Sequence, residues 1–202
     1  MTEPTTREAA PAGQVGDPAF YSAAPTVEVL APGADDMRRI GAKLAGLLRP
    51  GDTVLLGGEL GAGKTTLVQG LATALGVGEP VTSPTFVLVH SYKTKLGWDL
   101  LHADVWRLEN LHEVISLAIP ELLDEGGAAV VEWGERAAPA LAPDCLHVAI
   151  SFDAGGCAPH NGPEGGAAMA LAGPGGVRRV VFRPLGPSWT SRMAELSASV
   201  AA

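Results

Sequence analysis

Cysteine is scarce in this chain, which has only Cys145 and Cys157. They share no CxxC spacing and no histidine stands with them in a metal-site pattern. This argues against a disulfide framework or a zinc site and for a reducing, cytosolic location. Cys145 is expected to be a buried free thiol, and Cys157 an exposed one in a Gly-rich stretch. Aromatic residues are also few, at 5 %. Alanine and glycine are abundant, and the apolar total of 47 % still suffices for a real core. Positive charge is in short supply: 14 Lys and Arg against 22 Asp and Glu give a formal net charge of −8. Such a surface does not attract DNA, RNA or anionic lipid by itself. Any action on RNA is therefore expected to run through a partner. Long apolar runs are missing too. The Ala/Gly stretch Gly165–Val177 contains Pro174 and is too glycine-rich for a membrane helix. The first residues, Met1 to Glu8, lack the apolar stretch of a signal peptide, and none is expected.

The 202 residues fit one domain of ordinary size with tails. Residues 1–24, rich in Pro, Ala, Thr and Gly without periodicity, are expected to be a disordered tail. Residues 25–186 form the domain, with a Gly/Ala-rich insertion at 153–176, and 187–202 read as a flexible C-terminal tail with weak helical potential near Met193–Leu196. Within the domain, Thr26–Leu30 reads as a strand. Met37, Ile40, Leu44, Leu47 and Leu48 have helical spacing, with Asp35 or Asp36 near the N-cap. Thr53–Gly57 is a short buried strand, and Lys64–Leu75 an amphipathic helix stopped by Gly76. Phe86–Tyr92 and Trp98–Asp104 read as a hairpin. A helix is expected from about Glu109 to Leu117, and a short one from Pro120 to Leu123. Ala128–Trp133 is a second buried strand, and Cys145–Phe152 pairs with Val177–Arg183. This order predicts an α/β fold: a P-loop NTPase-type three-layer sandwich with a mixed, partly parallel sheet and a C-terminal hairpin.

The chemistry is carried by Gly58-Glu59-Leu60-Gly61-Ala62-Gly63-Lys64-Thr65, which matches G-x-x-x-x-G-K-[ST] between a strand and a helix. A chain wrapped around a phosphate must point successive N–H groups inward, and glycines allow the dihedrals and the close approach. The following helix adds the positive end of its dipole. Lys64 is expected to reach the β- and γ-phosphates, and Thr65 to offer its hydroxyl to Mg²⁺. A P-loop NTPase also needs an acid at the end of a neighbouring strand. Glu132, ending Ala128–Glu132, is the candidate. Asp104 ends another strand and is a second carboxylate able to orient water or Mg²⁺. Ser83 and Thr85 lie where a switch segment would sense the γ-phosphate. His102 and His90 read as structural.

Four segments occur in order: Leu56 to Thr66, Thr82-Ser83-Pro84-Thr85-Phe86, His102-Ala103-Asp104-Val105-Trp106-Arg107-Leu108, and Val131-Glu132-Trp133. Together they resemble the TsaE (YjeE) family, the ATPase component of bacterial tRNA threonylcarbamoyladenosine biosynthesis. The resemblance covers Thr26 to Arg183 apart from the insertion. It implies ATP and Mg²⁺ as ligands and TsaD and TsaB as protein partners. It also implies that tRNA is reached only through that complex, in the cytoplasm and without membrane or DNA contact. Hydrolysis would be weak alone and stimulated by partners. Carried over by position, Gly58 to Thr66 bind the nucleotide, Thr65 and Glu132 serve Mg²⁺, and Lys64, Asp104 and Glu132 are catalytic. The family often has Tyr at Trp106, and Thr near Met37, so an adenine contact at Met37 does not follow.

Two other readings are a small-molecule kinase and a non-catalytic nucleotide-dependent module. A kinase lid usually carries several arginines, yet Arg107 and Arg136 are the only ones between the P-loop and the last hairpin. A GTPase would want N-K-x-D, which is absent, and Asp124-Glu125-Gly126-Gly127 is placed as a turn. Because loop-closure entropy changes slowly with length, replacing residues 153–176 by a short turn is expected to leave folding and nucleotide binding intact. A thermal melt of that variant checks this, and a fall of more than about 8 °C, roughly 2 kcal/mol for a domain of this size, would show that the segment packs on the domain.

Overall fold

A computed structural model describes residues 25–108, 111–136, 144–153 and 176–201. The expected tail at residues 1–24, most of the insertion, and Cys157 lie outside the described residues.

Seven strands form one sheet: β1 (Val27–Ala31), β2 (Thr53–Gly57), β3 (Val89–Lys93), β4 (Asp99–Asp104), β5 (Ala128–Glu132), β6 (Cys145–Phe152) and β7 (Arg178–Leu185). Their spatial order is β1-β7-β6-β2-β5-β4-β3. β2 pairs in parallel with β5 and β6, and β5 with β4, while β1/β7, β6/β7 and β3/β4 are antiparallel. The sheet is thus mixed, with a parallel centre, as the sequence predicts. β2 and β5 are buried at every position, the signature of strands covered on both faces.

The helices are α1 (Ala34–Ala45), α2 (Lys64–Ala74), α3 (Leu111–Ile115), α4 (Ile119–Asp124), α5 (Pro187–Thr190) and α6 (Met193–Ala201). Alternation along β2 sorts the core. Val54 and Leu56 join Met37, Leu44, Leu67 and Leu71 on one face, whereas Leu55 meets Val114 and Ile119 on the other. Helices on both faces make the three layers. Cys145 is a buried free thiol whose burial pushes its pKa up to about 12.

Close approach of α1 to α2 depends on two glycines. A Cβ on Gly41 would lie 2.1 Å from the Leu67 carbonyl oxygen, and one on Gly70 2.0 Å from that of Arg38. Element ends differ modestly from the expectations. α1 stops at Ala45, and Leu47 and Leu48 continue as a buried turn. Its Asp36 carboxylate accepts the Gly33 N–H at 2.9 Å, from inside the helix. The 3–4 hairpin is shorter than predicted because residues 86–88 turn, with Leu88 N–H on the Pro84 carbonyl.

The C-terminal segment is the main correction. Residues 187–201 are not a loose tail but form α5 and α6. Trp189, Met193 and Leu196 are buried in the α1–α2 side of the core. Arg192 donates from Nη1 to Asp52 Oδ2 at 2.6 Å, from Nη2 to Asp52 Oδ1 at 2.7 Å, and to the Leu47 carbonyl at 2.8 Å. Its guanidinium lies 3.8 Å from the Trp189 ring centre. The segment hides from sequence reading because alanines and serines dominate α6 and its anchor is a charged residue.

Removing one partner of a buried ion pair costs about 3–5 kcal/mol. Arg192→Ala is expected to lose about that much in urea unfolding, since both side chains are buried. A change below about 1 kcal/mol, the size of an exposed pair, would mean that Asp52 is readily solvated.

Candidate nucleotide-binding site

The site lies at the C-terminal ends of the parallel strands β2, β4 and β5. Parallel register sets Asp104 directly beside Glu132. The loop after β2 has positive φ at Gly58 (133°), Gly61 (78°) and Gly63 (110°). Gly58 also admits no side chain, since a Cβ there would meet the Ile150 carbonyl oxygen at 2.1 Å. Gly63 caps α2, so Lys64 and Thr65 start that helix at its dipole-positive end.

Lys64 is buried, with Nζ donating to the Gly58 carbonyl at 2.8 Å and that of Glu59 at 3.0 Å. The ammonium also sits 3.7 Å from the Trp133 ring centre. Burial lowers its pKa, and the nearby Glu132, Asp104 and Glu135 carboxylates oppose that shift. Trp133 has φ of 60°, a conformation costing a residue with a Cβ roughly 1–2 kcal/mol. Its indole stacks, tilted, on Trp106 at 4.2 Å.

Glu132 Oε1 accepts the Thr65 hydroxyl at 2.8 Å and lies 2.9 Å from His102 Nε2. Asp104 Oδ2 accepts the hydroxyls of Ser83 at 3.0 Å and Thr85 at 2.7 Å, while Oδ1 accepts the Trp106 N–H at 2.9 Å. Lys64, Thr65, Ser83, Thr85, Asp104 and Glu132 line one cavity of about 440 Å³. Thr66 and Gly61 border it as well. Of the other loop residues, Gly58 and Glu59 hold Lys64, and Leu60 is exposed at the rim. Ala62 faces a smaller cavity of about 80 Å³ beside Met37 and Arg178.

His102 has only a structural role on the sequence alone. The structure brings it to Glu132, on the same side of β4 as Asp104 two residues on. That i, i+2 pairing was the available signal. His90 instead is exposed and stacks on the buried Tyr92. Trp106, Arg107 and Trp133 also line the cavity.

The oxygen donors fit a hard cation such as Mg²⁺, which prefers oxygen ligands and keeps one or two carboxylates together with water and phosphate. Among the described residues no three His, Cys, Asp or Glu side chains form a metal cluster on their own.

The family described as threonylcarbamoyl adenosine biosynthesis protein TsaE matches residues 31–156. The chain belongs to the TsaE family. Membership ties it to threonylcarbamoyl adenosine biosynthesis. The tRNA threonylcarbamoyladenosine biosynthesis protein TsaE of Streptomyces coelicolor is 40 % identical over 157 residues, covering 77 % of this chain and 95 % of that one. The Treponema pallidum TsaE is 44 % identical over 108 residues, covering 54 % and 78 %. The crystal structure of Bacillus subtilis YdiB superposes with a TM-score of 0.63 at 24 % identity, covering 87 % of this chain and 97 % of that one. At that identity the likeness supports the fold alone.

Asp104 Oδ2 lies within hydrogen-bond distance of both hydroxyls of the 83–85 loop, which otherwise have only each other as side-chain partner among the described residues. Asp104→Ala is expected to raise amide hydrogen exchange across residues 83–88 by about tenfold or more, since bonds to charged groups contribute roughly 1.5–3 kcal/mol. Exchange in β2 should stay unchanged. Equal exchange at 83–88 would show that the loop is held by its backbone alone.

Proposed function

We propose that this TsaE-family protein is the ATPase of the tRNA threonylcarbamoyladenosine machinery, using Mg-ATP to support repeated turnover of a TsaD–TsaB transferase. The observation that carries this reading is the convergence of Lys64, Thr65, Asp104 and Glu132 on one cavity beside a glycine loop. The loop N–H groups and the start of α2 cradle the phosphates. Lys64 exchanges two carbonyl contacts for phosphate oxygens. Thr65 and Glu132 hold Mg²⁺, which supplies charge neutralisation at the phosphates. Asp104 orients the attacking water and tethers Ser83 and Thr85.

Coupling to a partner is supported by exposed apolar side chains on two loops that contribute residues to the cavity. Leu60 and Phe86 are each 84 % exposed and Val87 is 65 % exposed. Contiguous exposed apolar surface marks an interaction site. Phe86 directly follows Thr85, so the loop that reports on Asp104 also presents this patch. Arg107 lies 4.5 Å over the Phe86 ring and joins it to the cavity wall. The net charge of −8 favours reaching tRNA through that partner. No helix among the described residues is long and apolar enough to cross a membrane, and acting on tRNA with these partners implies a cytoplasmic place of action.

The test is a reconstituted modification assay with TsaD, TsaB, tRNA, ATP and preformed threonylcarbamoyl-adenylate. The wild-type chain is expected to sustain many cycles, and its ATP hydrolysis to be slow alone and faster with the partners. Lys64→Ala is expected to weaken Mg-ATP binding by about tenfold or more in calorimetry and to abolish multiple turnover. Undiminished turnover by Lys64→Ala would replace the ATPase reading with a passive scaffold, and a preference for GTP would overturn the choice of nucleotide.

A further inference from the structure

The Glu132 carboxylate is buried, and its Oε1 meets two groups at once. The Thr65 hydroxyl approaches from α2 at 2.8 Å, and His102 Nε2 from β4 at 2.9 Å. His102 is fully buried. An ionised carboxylate only accepts hydrogen bonds, so the proton of this contact belongs to the imidazole, and Nε2 is the donor. The opposite nitrogen, Nδ1, is buried and has no hydrogen-bond partner among the described residues. A proton on Nδ1 would leave a buried donor unsatisfied, which is costly. The contact at Nε2 and the unpartnered Nδ1 together select the tautomer with hydrogen on Nε2.

We propose that His102 is a positioning residue for the cation site, holding Glu132 so that Thr65 must donate its proton inward and present its oxygen lone pairs to Mg²⁺. A threonine hydroxyl has one proton and two lone pairs. With the proton committed to Oε1, both lone pairs are available on the cavity side. The His102 bond occupies the same carboxylate oxygen from the β4 side and opposes rotation of the carboxylate toward Lys64. Oε2 then stays unclaimed by either partner. Outer groups that orient a ligand in this way typically change metal affinity by ~10–100-fold when removed. The role differs from that of Asp104, two residues along the strand, whose oxygens hold the 83–85 loop and the Trp106 N–H.

This inference rests on the proposed Mg-nucleotide site, and its test separates the two. ADP affinity is measured by Trp fluorescence with and without Mg²⁺, because Trp133 and Trp106 line the cavity. The wild type is expected to bind ADP more tightly with Mg²⁺. His102→Leu, which fills the space without a donor, is expected to lose about tenfold of that Mg²⁺-dependent gain. Its Mg²⁺-free ADP affinity should stay within about twofold, well under the effect of losing a charge-assisted contact. His102→Gln, which places an amide N–H near the position of Nε2, is expected to recover most of the gain. If the wild type shows no Mg²⁺-dependent gain, the proposed function itself fails. If the wild type shows it and His102→Leu keeps it in full, the positioning role alone is overturned. It is equally overturned if both variants lose Mg²⁺-free and Mg²⁺-dependent affinity together, which is the signature of a packing role.

Discussion

Burial of Lys64 among carboxylates is the constraint on which the site depends. An ammonium removed from water is costly unless it is paired and hydrogen-bonded. Here two loop carbonyls accept from it, an indole face covers it, and Glu132, Asp104 and Glu135 supply opposing charge. None of these groups is adjacent to Lys64 in sequence. The parallel register of β4 and β5 delivers two of the acids as neighbours, and the left-handed Trp133 aims the indole back over the lysine. The price of that backbone conformation is local, whereas its result is a cation held ready with contacts that phosphate oxygens can replace.

The rest of the fold holds these strand ends and the start of α2 in register. α2 is fixed against α1 at a distance that only glycine at positions 41 and 70 allows. α1 is in turn covered by α6, where Lys43 Nζ donates to the Ser199 carbonyl at 2.7 Å. The Arg192–Asp52 pair joins the turn leading into this C-terminal helix to the turn that feeds β2. A chain of contacts therefore runs from the last helix, through the residue just before β2, to the glycine loop just after it. The C-terminal segment supports the site without touching it.

Most of the site was legible because its residues recur at strand ends. The glycine loop announces itself by spacing. Asp104 and Glu132 each close an apolar run, so a parallel centre of the sheet had to bring them together. What escaped reading did so for physical reasons. His102 is ordinary as a single letter, and only the register of β4 against β5 makes it a neighbour of Glu132. The C-terminal segment carries its information in Arg192, in the turn before α6, whose partner Asp52 is 140 positions away. The positive φ of Trp133 has no local sequence cue, since an aromatic side chain does not favour that region. Strand existence and type came through, while exact ends shifted wherever turns such as residues 86–88 competed with extended chain.

On the proposed function, the same geometry offers a route from the phosphates to the surface. Glu132 and Asp104 are adjacent, yet they hold different things: one holds the P-loop helix through Thr65, the other holds the 83–85 loop through two hydroxyls. A group arriving between them competes for both carboxylates at once. Without their contacts to Asp104, those two hydroxyls have only each other as side-chain partner among the described residues. Phe86 and Val87 follow immediately and are already in solvent. Such a loop would need no long relay, because the Ser83 and Thr85 hydroxyls and the exposed Phe86 and Val87 side chains all fall within residues 83–87. Coupling requires a segment with two arrangements that both sites bias, and 83–87 is where the inner contact and the outer surface are closest in the chain.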